Sequence, residues 1–447
     1  MKAGAGRGGG DADRVSLVPA TAIVVGNMIG IGVFTGLGFQ AAAFQSPFAL
    51  LMVWVLGGVV ALCGALCYAE LAAAIPRSGG EYHFLSRVFH PFFGFLSGWV
   101  SVTVGFAAPV AAAAMAFGGY LSELYGVPGK VASCALVALV TGVHLSSVRV
   151  GGRFQSVFTI GKVALILVIV GWAFLISEGV GISFLPGEGD WGMVFSGPFA
   201  IAMFYVMYAY SGWNASTYVM DDVVDARRTV PRSLLLGTGL VTLIYVALNA
   251  AFLYTTPMAA LAGSGEKVAL VASREIFGAR GGEAVTLLIS FGLISSVSAM
   301  TWAGPRVAMT MGEDRRLLNW LSWRSVHGVP RVALLWQAAV VFVLVGTSSF
   351  EAVVIYIEVI LVAASLLTVG GVIYLRWREP DLERPYRAWG YPVTPLVFMG
   401  MSVWMLVYGI KERPAESFWG AVTLFTGAGG YLVSRWLERR GGERKRG

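Results

Sequence analysis

The chain has 447 residues, of which 57% are hydrophobic and 13% charged, with a formal net charge of +7 and a mean hydropathy of +0.73. Soluble domains keep about a quarter of their residues charged, so this composition excludes a soluble enzyme. In a membrane chain the basic excess is read by where it falls, which leaves no case for a nucleic-acid partner.

The first fourteen residues are Gly-rich, carry Lys2 and Arg7, and lack the apolar core and cleavage site of a signal peptide. Residues 1–14 are expected to be a disordered cytoplasmic tail. From Val15 no polar linker divides the sequence, so 15–436 reads as one transmembrane domain, followed by a basic cytoplasmic tail at 437–447. A bilayer core of about 30 Å takes about 20 apolar residues per helix. Twelve stretches qualify, at roughly 15–43, 47–74, 91–121, 130–148, 154–177, 193–222, 232–255, 282–311, 331–349, 351–376, 391–410 and 417–436. With the N-terminus in the cytoplasm, alternation places 25 Lys and Arg residues on that side against six opposite, and Lys162 alone falls inside a span. This positive-inside bias predicts a multi-pass protein of the cell (inner) membrane with both termini cytoplasmic.

The first span contains Gly26-Asn27-Met28-Ile29-Gly30-Ile31-Gly32-Val33-Phe34, and the sixth contains Tyr208-Ala209-Tyr210-Ser211-Gly212-Trp213-Asn214. Glycine disfavours a helix interior by about 1 kcal/mol relative to alanine, and hydrocarbon offers no water to a freed backbone group. The alternative use of such glycines is close helix packing. Interruptions at comparable places in spans one and six favour unwinding around a ligand and point to a transporter site. They also predict inverted repeats of five spans each, at 15–180 and 190–378, with helices 11 and 12 at 389–436 outside them. A half-helix N-terminus suits a carboxylate, and the carbonyls ending the other half suit an ammonium group. Together they match the zwitterionic end of an α-amino acid.

These residues resemble the amino acid-polyamine-organocation superfamily, and within it bacterial permeases similar to the L-type amino acid transporters. The resemblance rests on Gly26 to Phe34; on Tyr68-Ala69-Glu70-Leu71 followed by Ile75-Pro76-Arg77-Ser78-Gly79-Gly80-Glu81-Tyr82; and on Gly212-Trp213-Asn214. Arg228-Thr229-Val230-Pro231-Arg232, Ala303-Gly304-Pro305-Arg306, Arg378-Glu379-Pro380-Asp381 and Arg384-Pro385-Tyr386 extend it. It implies an all-α membrane protein of twelve transmembrane helices, a LeuT-like five-plus-five inverted repeat with helices 1 and 6 broken. It also implies sodium-independent secondary transport of amino acids, by exchange or proton symport. The alternatives are a polyamine or cationic amino acid exchanger, a non-transporting amino acid sensor and a membrane enzyme.

By this resemblance the backbone of Gly30, Ile31 and Gly32 holds the substrate carboxylate. Carbonyls around Met28 and of Tyr208, Ala209 and Ser211 hold the amine. The Tyr208 ring closes over the substrate as a gate, and Asn214 is a polar neighbour. Ile31 departs from the family's usual Ser or Thr, which a backbone contact survives. Lys162, in Thr159-Ile160-Gly161-Lys162-Val163, stands where relatives bind sodium, and its ammonium is expected to replace the ion against the unwound backbone near Gly26. Snorkelling to the interface is its alternative. Glu358 is a second intramembrane charge, either a proton carrier, a vestibule residue or a partner for a basic substrate. Asp221-Asp222 is either a gate pair for Arg227, Arg228 and Arg232 or a solvated loop face.

Cofactors are not expected. Cys63, Cys67 and Cys134 lie in apolar segments. The loop from Ser122 to Lys130 lacks the cysteine by which the family's eukaryotic light subunits attach a heavy subunit, so no disulfide-linked partner is expected. His83, His90, His144 and His327 form no H-E-x-x-H motif, no G-x-S-x-G elbow occurs, and the glycines around Ile31 and Lys162 fit neither a dinucleotide nor a P-loop spacing. The expected partners are an amino acid, the lipid bilayer and, for symport, a proton.

Overall fold

The computed structural model describes residues 15–146, 152–325 and 329–443. The expected tail at 1–14, with Lys2, Arg7 and Arg14, lies outside the described residues, as do Arg149, His327, Arg444, Lys445 and Arg446.

The described chain is helical, its single β contact an isolated parallel bridge between Val15 and Val223. Helix α1 (Leu17–Met28) is followed by a 3-10 turn (Gly32–Phe34) and α2 (Gly36–Ala43). Next come α3 (Pro47–Ala74), the short α4 (Gly80–Val88), α5 (Pro91–Val100), a π-helical turn at 101–105, and α6 (Ala107–Tyr125). Helices α7 (Gly129–Ser146), α8 (Gly152–Leu175), α9 (Asp190–Met193) and α10 (Gly197–Tyr210) precede a 3-10 segment (Ala215–Asp222). The remainder is α11 (Ala226–Thr255), α12 (Met258–Ala262), α13 (Val268–Asp314), α14 (Arg331–Thr347), α15 (Phe350–Arg378), α16 (Val393–Glu412) and α17 (Pro414–Glu443).

The helix starts are written in local chemistry. Ser46, Ser196 and Ser349 each accept a bond from the amide three residues on, at 3.1, 3.4 and 3.2 Å, the N-cap arrangement that satisfies an orphan donor. Pro47 and Pro91 follow their caps, where a missing N–H costs nothing. Helix α6 stops at Gly126, whose φ of 68° is left-handed.

Among the described residues six helices are long and apolar enough to cross a membrane on their own: α3, the run from Pro91 to Tyr125, α11, the run from Gly265 to Asp314, α15 and α16. Apolar residues cover the outside as well as the core. Ile160, Leu243, Phe291 and Phe425 are exposed, while Trp54, Tyr120, Tyr245 and Phe252 are fully buried. A helix that is apolar all round belongs in lipid. The structure adds three features to the sequence reading. Residues 80–88, expected as loop, form α4. The expected span at 282–311 is the later part of a helix that begins at Val268 and kinks at Gly278, where φ is 73°. Helix α17 continues to Glu443, into the expected tail.

Candidate functional site

Two helices break where the glycines stand, and the breaks meet. Helix α1 closes its last turn with Ile29 N–H on the Val25 carbonyl, after which Gly30 N–H folds back to the Met28 carbonyl at 2.7 Å. The chain then restarts in the 3-10 turn that leads into α2, steadied by Tyr120, whose hydroxyl donates to the Phe34 carbonyl at 3.2 Å. Among the described residues the amides of Ile31 and Gly32 have no acceptor. These are the orphan donors of a helix N-terminus.

Helix α10 ends at Tyr210. Ser211 donates both its amide, at 3.1 Å, and its hydroxyl, at 2.7 Å, to the Tyr208 carbonyl. Gly212 follows at φ 95°, and a Cβ on it would lie 3.0 Å from the carbonyl carbon and oxygen of Asn27. Gly32 faces the other break directly, since a Cβ there would lie 2.5 Å from the Ala209 Cα. Glycine is required at both positions, at Gly212 by conformation as well as by space. Gly30 faces open space: the nearest atom to a Cβ added there is the Met28 carbonyl oxygen at 3.9 Å.

A residue the sequence did not single out joins the breaks. Tyr245 of α11 is fully buried, and its hydroxyl bonds the Met28 carbonyl at 2.5 Å and the Ala209 carbonyl at 3.1 Å. Two of the carbonyls expected to face an ammonium group are therefore already positioned by one phenol. In the sequence Tyr245 is an aromatic in an apolar run, indistinguishable from core.

Lys162 does not snorkel. It is 7% exposed, and its ammonium donates to the Ile29 carbonyl at 3.1 Å and to Ser296 Oγ on α13 at 2.7 Å. The contact falls three residues beyond Gly26, which instead packs against Thr159 one turn before Lys162. A fixed cation thus sits on the end of α1, where the helix dipole is negative. Beside it lies a cavity of about 260 Å³ lined by Gly30, Phe34, Lys162, Gly292 and Ser296 and by apolar residues of α13. Leu288 and Phe291 on its rim are more than half exposed, so it opens sideways between α8 and α13.

The remaining expected residues are distributed around this centre. The Asn214 side chain lies at the Tyr218 hydroxyl, and its carbonyl accepts from the amide and hydroxyl of Thr217. Tyr208 is buried and shares its electrostatic surroundings with Glu358 of α15. Glu358 is 3% exposed, and its Oε2 has no hydrogen-bond partner among the described residues. Arg227 and Arg228 pair with Glu383 and Asp225, not with Asp221, whose amide bonds Ser78 Oγ. The Asp222 side chain lies outside the described residues. On α13, Ser298 bonds His144 Nε2 at 2.9 Å, while Ser295 Oγ is buried without a partner.

Both ends of the bundle are tied. At the arginine-rich end Glu70 of α3 accepts Arg376 Nε and Nη2 at 2.7 and 2.6 Å, and the Ala388 amide at 2.7 Å. Arg384 Nε stands 3.6 Å away. Helix α4 straps the same end: Glu81 accepts from Tyr68 Oη and, at 3.2 Å, from Ser365 Oγ, while Arg87 holds Glu379 in a bidentate pair at 2.8 and 2.9 Å. That pairing holds the Glu379 carboxyl below the ordinary carboxylate range. At the opposite end Phe39 stacks between Tyr205, at 5.1 Å, and Phe350, at 5.8 Å, Tyr205 donates to Glu351 at 2.9 Å, and Glu351 pairs with Arg413.

A helical bundle with a lipid-compatible surface and two interrupted helices facing each other at its centre defines a multi-pass membrane permease. The chain belongs to the amino acid permease family, whose profile matches residues 15–428. It is 30% identical over 431 residues to the human (Homo sapiens) Asc-type amino acid transporter 1, covering 93% of this chain and 80% of that one. It is 29% identical over 458 residues to the human large neutral amino acids transporter small subunit 2, covering 98% and 83%. To the mouse (Mus musculus) b(0,+)-type amino acid transporter 1 it is 27% identical over 416 residues, covering 91% and 84%. Membership in a family of permeases sets the enzyme reading aside.

Proposed function

We propose that the protein carries amino acids across the cell (inner) membrane by alternating access and without sodium. The observation that carries this reading is the meeting of the two breaks, Gly32 on Ala209 and Gly212 on Asn27, in a chain of the amino acid permease family. The free amides of Ile31 and Gly32, together with the Gly30 backbone, take the substrate carboxylate. Of the carbonyls of Met28, Tyr208, Ala209 and Ser211 proposed for its ammonium group, Ala209 and Ser211 keep a lone pair to offer, while Met28 and Tyr208 each already accept two bonds and line the site. A carbonyl oxygen has two lone pairs, so the bond from Tyr245 orients Ala209 without consuming it. Asn214 is the polar neighbour of this site, and the Tyr208 ring is its gate.

Lys162 takes the place of a coupling cation. A sodium ion at the end of α1 would be held by carbonyl and hydroxyl oxygens; here an ammonium group already engages the Ile29 carbonyl and Ser296 Oγ. The twelve spans form two inverted repeats, at 15–180 and 190–378, with helices 11 and 12 outside. The 25-to-six division of Lys and Arg supports a cytoplasmic position for the arginine-rich end and both termini. Opening to the cytoplasm then releases Glu70 from Arg376 and lifts α4; opening outward separates the Tyr205–Phe39–Phe350 row.

Counterflow tests the proposal. Proteoliposomes loaded with an unlabelled neutral amino acid and diluted into its labelled form should accumulate label transiently, in sodium-free buffer as well as in sodium. Absence of counterflow across a panel of neutral and cationic amino acids, by a correctly folded protein, would refute transport. Dependence on sodium would refute the role given to Lys162.

A further inference from the structure

We infer that Glu358 is a proton-binding site that couples amino acid movement to a proton, with Glu81 of α4 governing when that proton is released. The inference rests on the transport reading above.

Glu358 lies eight residues into α15, deep in the bundle, and its Oε2 is buried without a donor. A carboxylate in such a place is costly unless it is paired or neutralised, and nothing basic pairs with it among the described residues. Lys162 is committed to Ile29 and Ser296, and Arg376 to Glu70. The titratable groups in its field are Tyr208 from α10 and Glu81 from α4. The other helices packed on α15, which are α3, α6, α16 and α17, direct no acid or base at it among the described residues.

Glu81 is buried too, which raises its carboxyl above the ordinary carboxylate range, but unlike Glu358 it has donors that offset part of this cost. Tyr68 and Ser365 both donate to it, and hydrogen bonds to the charged form favour that form. Ser365 lies seven residues beyond Glu358 on α15, two turns along the same face and about 10 Å away. Two carboxyls therefore share one dry region: one whose charge two donors support, the other with nothing but a proton to neutralise it. The like charge of Glu81 holds that proton on Glu358 while α4 is docked.

The coupled step changes one bond. Open to the acidic side, the Glu358 carboxylate takes a proton from water and forms an O–H bond. When α4 swings away and the cytoplasmic side opens, Glu81 leaves, water reaches Glu358, and the O–H bond breaks with the proton passing to water. Each cycle moves one proton with one amino acid.

The test uses the full chain in proteoliposomes, with the neutral amino acid that gives the largest counterflow signal. An acid-outside gradient of one pH unit drives at most about a tenfold accumulation for one coupled proton, and the parent should approach this limit. Glu358→Gln should lose gradient-driven accumulation while keeping counterflow, which separates loss of coupling from loss of transport. Glu81→Gln should keep both and move the pH of half-maximal uptake to more acid values. A parent that exchanges but never accumulates under the gradient would overturn the inference. So would a Glu358→Gln protein that still accumulates, or one that loses only cationic substrates, in which case Glu358 reads the substrate's side chain.

Discussion

Replacing Tyr245 by phenylalanine removes one oxygen from a fully buried ring and tests whether the clasp between the breaks sets substrate affinity. The lost hydroxyl has one hydrogen, shared between the Met28 carbonyl at 2.5 Å and the Ala209 carbonyl at 3.1 Å. Met28 keeps the Gly30 amide, whereas the Ala209 carbonyl has no other donor among the described residues. A neutral hydrogen bond contributes about 1 kcal/mol net, and an abandoned buried carbonyl costs about 1–3 kcal/mol, so about 2 kcal/mol is at stake. If all of it falls on the geometry that binds the ammonium group, half-saturation rises about thirtyfold, at 1.4 kcal/mol per decade. Concentration-dependent counterflow measures this, and a melting curve in detergent reports the share lost as stability. Tyr210→Phe is the control. That ring is also fully buried and packs on Tyr245, but its hydroxyl donates to the Trp54 carbonyl at 3.2 Å and to no carbonyl of either break, so its loss should lower stability and leave half-saturation alone. If Tyr245→Phe keeps half-saturation within about twofold of the parent, the carbonyls do not bind substrate through this arrangement.

Lys162→Ala should leave the protein folded and cut transport more than about tenfold, because two charge-assisted bonds of about 1.5–3 kcal/mol each are lost at the end of α1; sodium-free counterflow by a protein of parental melting temperature checks it, and normal uptake would remove Lys162 from the mechanism. Gly32→Ala drives a methyl group to 2.5 Å from the Ala209 Cα and should lower transport by about an order of magnitude or more through misplacement of the two breaks, read as uptake per folded protein. Glu70→Gln breaks a buried ion pair, at a cost of about 3–5 kcal/mol, and should both lower the melting temperature and speed reaction of the fully buried Cys67 with a thiol reagent. For the Arg87–Glu379 strap, the depressed Glu379 carboxyl means that its contribution is present above the ordinary carboxylate range and is lost as pH falls through its lowered value. Glu379→Gln should therefore match the parent's stability in acid and fall below it at neutral pH, measured by melting across pH.

The breaks were legible because glycine at Gly26, Gly30, Gly32 and Gly212 is costly in a span, and because the two runs stand in corresponding places. Lys162 was legible because a lone charge in an apolar run is conspicuous. Its partner was not, since one helical turn separates the Gly26 and Ile29 levels and only coordinates resolve it. Helix α4 was hidden by its motif of Gly79 and Gly80, which reads as turn although the following residues are amphipathic. Tyr245 could not be found, because a phenol that bridges two backbones and one that fills core have the same sequence. Glu81 was quoted for its motif alone; burial with two donors gives it its meaning, and neither is visible in a string of letters.

Where Gly32 meets Ala209 there is no layer of side chains to compress. Backbone rests on backbone, and Tyr245 ties the Ala209 side of the junction to Met28 at the end of α1. Such a joint resists shear, so a solute held as proposed would meet a site that keeps its shape while the surrounding helices tilt. The protein would then recognise the same passenger from either face of the membrane, and any directional preference would arise in the doors and not in the hand.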